Sequence, residues 1–160
     1  MKKYKVFSGV VLYFFLSAGA VTAEQEQNVI KIITCLLPGE EGKQVTLSIN
    51  NLTKEISYGF KRAGKTELKV VFNEENKLKR FTDSQMGVIY YGFRLGEYGY
   101  IIDIINGSEK NEYTISFDIK KNNKVIQSSD CLPNSFRSDN IRSDYIDDVP
   151  NMNDRFFVFP

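Results

Sequence analysis

The chain has 160 residues, of which 21 are basic and 20 are acidic, and it contains no histidine. A chain of this length forms one domain with a core of its own and is short for two. The even, interspersed charges exclude the usual nucleic-acid-binding protein, which concentrates Lys and Arg on one surface. Without imidazole, His-dependent hydrolysis and the commonest zinc ligand are also excluded.

The first residues have the pattern of a secretory signal peptide. Three lysines within residues 2–5 precede an apolar run over residues 6–20, and Ala23 stands before the polar sequence EQEQ. The run is shorter than the roughly 20 residues that a membrane-spanning helix needs. We therefore expect residues 1–23 to be removed, which leaves a periplasmic or secreted protein with a slight acidic excess and no membrane attachment. A retained membrane anchor is the alternative.

From residue 29 onward, apolar and polar residues alternate with period two, which is typical of β-strands with one face in water. In QVTLSIN, for example, Val45, Leu47 and Ile49 alternate with polar residues. The pattern predicts eight strands, at residues 29–35, 44–50, 54–60, 67–72, 87–95, 98–106, 111–121 and 124–130. Residues 73–85 are predicted to form a polar loop.

Turn residues between these segments predict that several consecutive strands pair as hairpins. The segments Leu95-Gly96-Glu97, Asn106-Gly107 and Asn122-Asn123 suit tight turns. Eight short strands must also cover one another's apolar faces. The sequence therefore predicts an all-β fold over residues 24–134, an antiparallel sandwich or small barrel of about eight strands.

The alternation stops beyond residue 134. Residues 135–160 are rich in Asn, Asp and Ser, and we expect an irregular tail that packs on the domain, with at most a short helix near Ser143. The terminal FFVFP is too apolar to remain in water, so Phe156, Phe157 and Phe159 are expected to dock on the sheet. The alternative is that the tail belongs to the surface of a partner.

Two charged clusters are expected to be solvated loops. The basic one is KLKR, at residues 77–80, which follows Glu74 and Glu75. The acidic one lacks the central glycine and closing Glu of a calcium-binding loop and consists of Asp144, Asp147, Asp148 and Asp154. The sequence therefore predicts no metal site and no cofactor.

The two cysteines, Cys35 and Cys131, lie at opposite ends of the patterned region. An exported chain enters an oxidising compartment, where paired cysteines persist as a disulfide. We expect a Cys35–Cys131 bond that pins the first strand to the last. Because it closes a long loop, it would stabilise the fold by about 4–5 kcal/mol in the chain-entropy model. Two free thiols are the alternative.

The most aromatic segment is YYGFRLGEYGY, residues 90–100. Its aromatic residues either form cross-strand pairs that stabilise the sheet or form a surface that recognises another molecule. Gly92 and Gly99 leave the backbone bare, which suits a ring packed over the glycine or the close approach of a ligand. Tyrosine and arginine are over-represented among the residues that dominate binding energy. The recognition hypothesis assigns partner binding to Tyr90, Arg94, Glu97, Tyr98 and Tyr100.

The order of a cysteine-bearing first strand, YYGFRLGEYGY and then KKNNKVIQSSDC resembles a group of small exported bacterial proteins. In that group a Tyr/Phe-Arg-x-x-Gly-x-Tyr-x-Tyr hairpin precedes an Asn/Lys-Lys-Val-Ile strand and a closing cysteine. The resemblance covers residues 35–131 and implies export and a disulfide-closed β domain. More loosely, the layout is similar to periplasmic lysozyme inhibitors and to immunity proteins that neutralise cell-wall-degrading toxins, although the Ser-Gly-x-x-Tyr loop typical of the inhibitors is missing.

Three functional hypotheses follow from these observations. The first is a non-catalytic periplasmic binding protein, an inhibitor or immunity protein whose partner is another protein such as a toxin or a lysozyme-like enzyme. The second is a structural or adhesive exported subunit that assembles through sheet edges. The third is an enzyme, which would need a carboxylate with a raised pKa inside a cleft. We expect the first, without catalysis, cofactor or nucleic acid.

Overall fold

The protein is represented by a computed structural model, which describes residues 28–39, 41–109, 111–139, 141–150, 153–154 and 157–160. The expected signal peptide, residues 1–23, lies outside the described residues. The described part of the chain contains no helix. It accordingly contains no helix with the length and apolarity of a membrane span.

The described residues form an all-β sandwich, as the alternating pattern predicted. The strands are, in chain order, β1 Val29–Leu36, β2 Gln44–Asn50, β3 Ile56–Arg62, β4 Lys65–Phe72, β5 Leu78–Asp83, β6 Val88–Leu95, β7 Tyr98–Asn106, β8 Tyr113–Lys121, β9 Lys124–Asp130, β10 Phe136–Arg137, β11 Ile146–Asp148, β12 Asn153–Asp154 and β13 Phe157–Val158. One sheet has the order β10-β1-β2-β3-β4 and the other has the order β11-β5-β6-β7-β8-β9. Because neither sheet closes on itself, the fold is a sandwich and not the small barrel.

The apolar phases of the two sheets face each other and form one core. An aromatic cluster lies at its centre, where the ring of Tyr58 on β3 is 4.8 Å from that of Phe93 on β6. Phe72 on β4 contacts the same Phe93 ring at 5.3 Å. Tyr58 and Phe72 are at most 1% exposed. Side chains of this size contribute roughly 1.5–3 kcal/mol each when fully buried, so the cluster holds the two sheets together.

The expected disulfide is present. Cys35 lies on β1 in one sheet, and Cys131 directly follows β9 in the other, 96 residues along the chain. Two hydrogen bonds next to the disulfide also join these segments. The Leu132 N–H donates to the Leu36 carbonyl at 2.8 Å, and the Leu36 N–H donates to the Ser135 hydroxyl at 2.9 Å. The bond therefore joins the two layers of the sandwich as well as the first and last long strands.

The expectation that both charged clusters are solvated loops was wrong. Residues 78–80 belong to β5, and β11 lies parallel to β5 with Asp147 opposite Lys79 and Asp148 opposite Arg80. Lys79 forms an ion pair with Asp147, and the Arg80 guanidinium donates to both carboxylate oxygens of Asp148, at 2.5 and 2.7 Å. The hydrogen bond from Arg80 lowers the pKa of the Asp148 carboxyl. Strand pairing therefore brings the two clusters together, and each supplies countercharge to the other.

The C-terminal tail contributes strands to both sheets and is less irregular than expected. Strand β10 pairs with β1, and β11 pairs with β5. Between them, Ile141 is buried in the core. The segment at Ser143 is a turn and not a helix, because its carbonyl accepts from the Ile146 N–H at 3.1 Å and no further helical bonds follow. Phe159 is 2% exposed, which confirms its docking, whereas Phe156 and the side chain of Phe157 lie outside the description.

Candidate functional site

Two hairpins end side by side at one end of the six-stranded sheet. The β6–β7 hairpin turns at Gly96, whose φ is 60°, and the β8–β9 hairpin turns at Asn122 and Asn123, whose φ values are 49° and 65°. Asparagine and glycine tolerate positive φ, which two-residue hairpin turns require. The turns are neighbours because β7 and β8 pair along their full length, so that every second turn of the meander falls at the same end.

The two turns are connected by polar contacts. The Asn122 N–H donates to the Glu97 carbonyl at 3.1 Å. The Arg94 guanidinium donates to the side-chain carbonyl of Asn123. We call this end of the sheet the hairpin-end surface. It comprises Leu95, Tyr98 and Lys121 on the face toward the other sheet, Arg94 on the outer face, and Glu97 and Asn123 in the turns.

Lys121 organises the remaining side chains of the hairpin-end surface. Its ammonium group lies 3.9 Å from the Glu97 carboxylate and 5.3 Å from the centroid of the Tyr98 ring. A cation over an aromatic face contributes about 0.5–1 kcal/mol at an exposed site. Leu95 and Tyr98 remain 47% and 36% exposed. The surface therefore combines exposed apolar area with side chains held in place by their neighbours.

Three of the five residues assigned to partner binding, namely Arg94, Glu97 and Tyr98, lie on the hairpin-end surface. Tyr100 does not, because its ring stacks on Phe93 at 5.0 Å and contacts Tyr58 at 5.8 Å in the aromatic cluster. Burial, followed by the neighbouring Tyr98, raises the pKa of the Tyr100 phenol. For this residue the structure supports the sheet-stabilising explanation of the aromatic segment.

Tyr90 lies on the opposite, outer face of the sheet, beneath the C-terminus. Its ring is stacked on that of Phe81, with 5.8 Å between the ring centroids. It makes an edge contact with Phe159, at 6.1 Å between centroids. The bare backbone at Gly92 and Gly99 is covered by the same terminal residues. A Cβ atom at Gly92 would lie 2.9 Å from the Phe159 ring. Gly92 therefore receives a ring of the protein itself, the first of the two explanations offered by the sequence, and Gly99 receives the backbone of Pro160.

Lys121, Asn123 and Leu95 are parts of the surface that the sequence analysis did not assign. The sequence analysis predicted the Asn122-Asn123 turn but did not place it beside the turn at Gly96. Three consecutive hairpins already place the first and third turns at one end of a meander, so this signal was present in the sequence. The exposure of Leu95 was not predictable from its apolar side chain, and depended on where the opposite sheet ends.

An enzyme would need a metal site, or a carboxylate with a raised pKa inside a cleft, among the described residues. They contain no group of three or more His, Cys, Asp or Glu side chains that could hold a metal ion. Burial raises the pKa of Asp103, while the Ser116 hydroxyl, which donates to it at 2.8 Å, works in the opposite direction. Neither of the two cavities described, one beside Arg80 and one on the five-stranded sheet, is lined by Asp103.

Comparison of the chain with family models, curated proteins and solved structures finds no match.

Proposed function

We propose that the protein is an exported, non-catalytic binding protein that captures another protein through the hairpin-end surface. The observation that carries this proposal is the connection between the two turns, from the Asn122 N–H to the Glu97 carbonyl and from Arg94 to Asn123, beside exposed Leu95 and Tyr98. Side chains held in place before binding lose little conformational freedom when a partner arrives, and more of the contact energy becomes affinity.

The composition of the surface also supports protein recognition. Tyrosine and arginine are enriched among the residues that dominate protein interfaces, and an aromatic ring with a polar end suits a surface that is wet before binding and dry afterwards. Lys121 and Glu97 provide both signs of charge at the rim, where charges direct encounter and orientation more than they add affinity.

The partner that we propose is a toxic or cell-wall-degrading enzyme, and the protein would act as its inhibitor or immunity protein. The support for this choice is the chain's loose resemblance to lysozyme inhibitors and immunity proteins, together with the signal-peptide pattern of residues 1–23. A secreted inhibitor without cofactor needs only a stable scaffold and one rigid binding surface.

The proposal is tested with the oxidised protein immobilised and exposed to periplasmic extract and to competitor lysate, followed by measurement of the dissociation constant of each captured enzyme. Arg94→Ala and Tyr98→Ala are each expected to weaken binding about tenfold or more, because truncating a dominant interface residue costs at least about 1.4 kcal/mol. Leu52→Ala is the matched control, since Leu52 is 73% exposed in a turn of the other sheet.

Unchanged affinity in both Arg94→Ala and Tyr98→Ala, with the fold retained, would show that binding occurs elsewhere. The inhibitor assignment is tested separately, by adding the protein to a lysozyme-type enzyme and following the hydrolysis of peptidoglycan. Hydrolysis that continues at full rate for every captured enzyme excludes inhibition while leaving capture itself intact.

A second candidate function, assembly through sheet edges, is favoured by strand β9. This strand is last in its sheet, and its neighbouring residues Val125 and Ile126 are 53% and 57% exposed. An apolar edge strand with free backbone groups can pair with another chain. Light scattering at micromolar concentration would then show oligomers that Ile126→Lys converts to monomers. A monomeric parent protein excludes this candidate.

A further inference from the structure

The outer face of the five-stranded sheet carries a groove that the proposed function does not use. It has a volume of about 430 Å³, within the usual range of small-ligand sites. Short side chains of the two central strands β2 and β3 form its floor, among them Thr46, Ser48 and Ser57. Longer side chains stand around this floor, and the groove exists because of that difference in length.

The floor is polar and contains an unused hydrogen-bonding group. Thr46 and Ser48 are only 6% and 9% exposed, although both lie on the outer face. The Thr46 hydroxyl donates a long bond of 3.4 Å to the Gly59 carbonyl. The Ser48 hydroxyl lines the groove and has no hydrogen-bond partner among the described residues. A hydroxyl that opens onto a groove and has no protein partner is a group that a bound ligand can satisfy.

The charges around the groove are all positive. Lys31 of β1, Lys61 of β3 and Lys69 of β4 line it, and no Asp or Glu does. None of the three forms an ion pair within the part of the chain that the structure describes. The whole chain has nearly equal numbers of basic and acidic residues, so three unpaired ammonium groups around one concavity form a local excess.

We propose that this groove binds an acidic saccharide, a sugar that carries a carboxylate or a phosphate group. Ammonium groups favour an oxyanion. Hydroxyl groups both donate and accept hydrogen bonds, and they match a ligand whose own groups do the same. A simple anion would pair with the lysines and accept hydrogen bonds from the Ser48 and Ser57 hydroxyls. A sugar acid would do the same and would also donate hydrogen bonds to these hydroxyls through its own hydroxyl groups.

Two other anionic partners fit the groove less well. Single-stranded nucleic acid is bound by aromatic side chains on which bases stack, and the one ring in the lining, Tyr58, is 1% exposed. An extended acidic peptide adds to the edge of a sheet through its backbone. The groove instead spans the face of β2 and β3, whose backbone groups are already paired on both sides.

The test is calorimetric titration of the oxidised protein with five probes: digalacturonate, glucose 6-phosphate, inorganic phosphate, neutral glucose and a hexaglutamate peptide. At least one of the two acidic sugars is expected to bind, at least tenfold more tightly than glucose. Lys61→Gln and Lys69→Gln are expected to weaken that binding fivefold or more, and Ser48→Ala about threefold. The matched control is Lys65→Gln, since Lys65 is an exposed lysine on β4 outside the groove.

Preference between digalacturonate and glucose 6-phosphate identifies which oxyanion the site takes. The proposal is overturned if neither acidic sugar binds, if inorganic phosphate binds as tightly as glucose 6-phosphate, or if hexaglutamate binds more tightly than both sugars. It is also overturned if Lys65→Gln weakens binding as much as Lys61→Gln does, because the effect would then be one of overall charge. The Arg94→Ala and Tyr98→Ala variants concern the other sheet, so the two proposals succeed or fail separately.

Discussion

At Gly92 and Gly99 the C-terminal residues occupy the space that a side chain would take. Both lie on paired strands, where a glycine normally weakens the sheet. Here each leaves room for the C-terminus, and a Cβ atom at Gly99 would lie 2.6 Å from the backbone carbonyl carbon of Pro160. The terminal residues thereby cover apolar surface on the outside of the six-stranded sheet, and Phe159 is buried there.

Gly99→Ala is accordingly expected to lower the free energy of unfolding by about 1–3 kcal/mol, the usual cost of overpacking. Urea denaturation followed by tyrosine fluorescence measures this change. The control is a chain that ends at Phe159, in which the same substitution should cost much less because Pro160 is no longer there. Equal costs in the two chains would mean that Gly99 does not support the terminus.

At the scale of the strands and turns, the two adjacent hairpin turns are the elements on which the proposed site depends. Asn123 has a positive φ and accepts the hydrogen bond of Arg94. The backbone conformation of Asn123 and its side-chain contact with Arg94 therefore contribute separately to stability. Two substitutions distinguish them, because glycine keeps only the conformation and alanine keeps neither.

Asn123→Ala is expected to be less stable than Asn123→Gly by about 1 kcal/mol, since a residue with a Cβ atom pays about 1–2 kcal/mol for positive φ and both variants lose the Arg94 contact. Thermal unfolding measures the difference. Partner binding should weaken to a similar extent in both variants, because Arg94 loses its support in each. Equal melting temperatures would contradict the assigned turn geometry.

For the whole molecule, the Cys35–Cys131 bond is the covalent link between the two layers. It closes a loop with a sequence separation of 96 residues. The double variant Cys35→Ala/Cys131→Ala is expected to lose about 2–5 kcal/mol of stability, as is usual when a native disulfide is removed from a small exported domain. Equilibrium urea unfolding measures the loss.

The oxidised parent protein treated with a reductant is the control for this prediction, since it keeps both cysteine side chains. Its stability should fall close to that of the double variant. Titration of unreduced protein with a thiol reagent under denaturing conditions should detect no free thiol. Two free thiols in that titration would remove the disulfide from the fold and, with it, the strongest support for export.

The long strands were predictable from the sequence, because alternation and turn residues are local signals. All eight predicted strands are present, within a few residues of their expected ends. Strand β5, LKRFTD, was missed because it begins inside the charged cluster KLKR, and residues 73–85 were interpreted as a polar loop. It is a strand because it pairs with β6 and β11, and those pairings join residues up to 68 positions apart.

The candidate site was predictable in part. The sequence identified Arg94, Glu97 and Tyr98 through the aromatic composition of their segment, and it could not separate them from Tyr100, which has the same residue type as Tyr98 and the same phase of the strand. Only the opposite sheet distinguishes these two tyrosines. Tyr100 lies where Tyr58 covers it, and Tyr98 lies nearer the end of the strand.

By itself the sequence determined the all-β class, the hairpin turns and the pair of cysteines, because each depends on residue type and short spacing. Only the tertiary structure decided that the charged clusters neutralise each other, that the C-terminus covers the two glycines, and that three lysines surround one groove. These features bring together residues distant in the chain, and their free energy depends on distances that no local pattern contains.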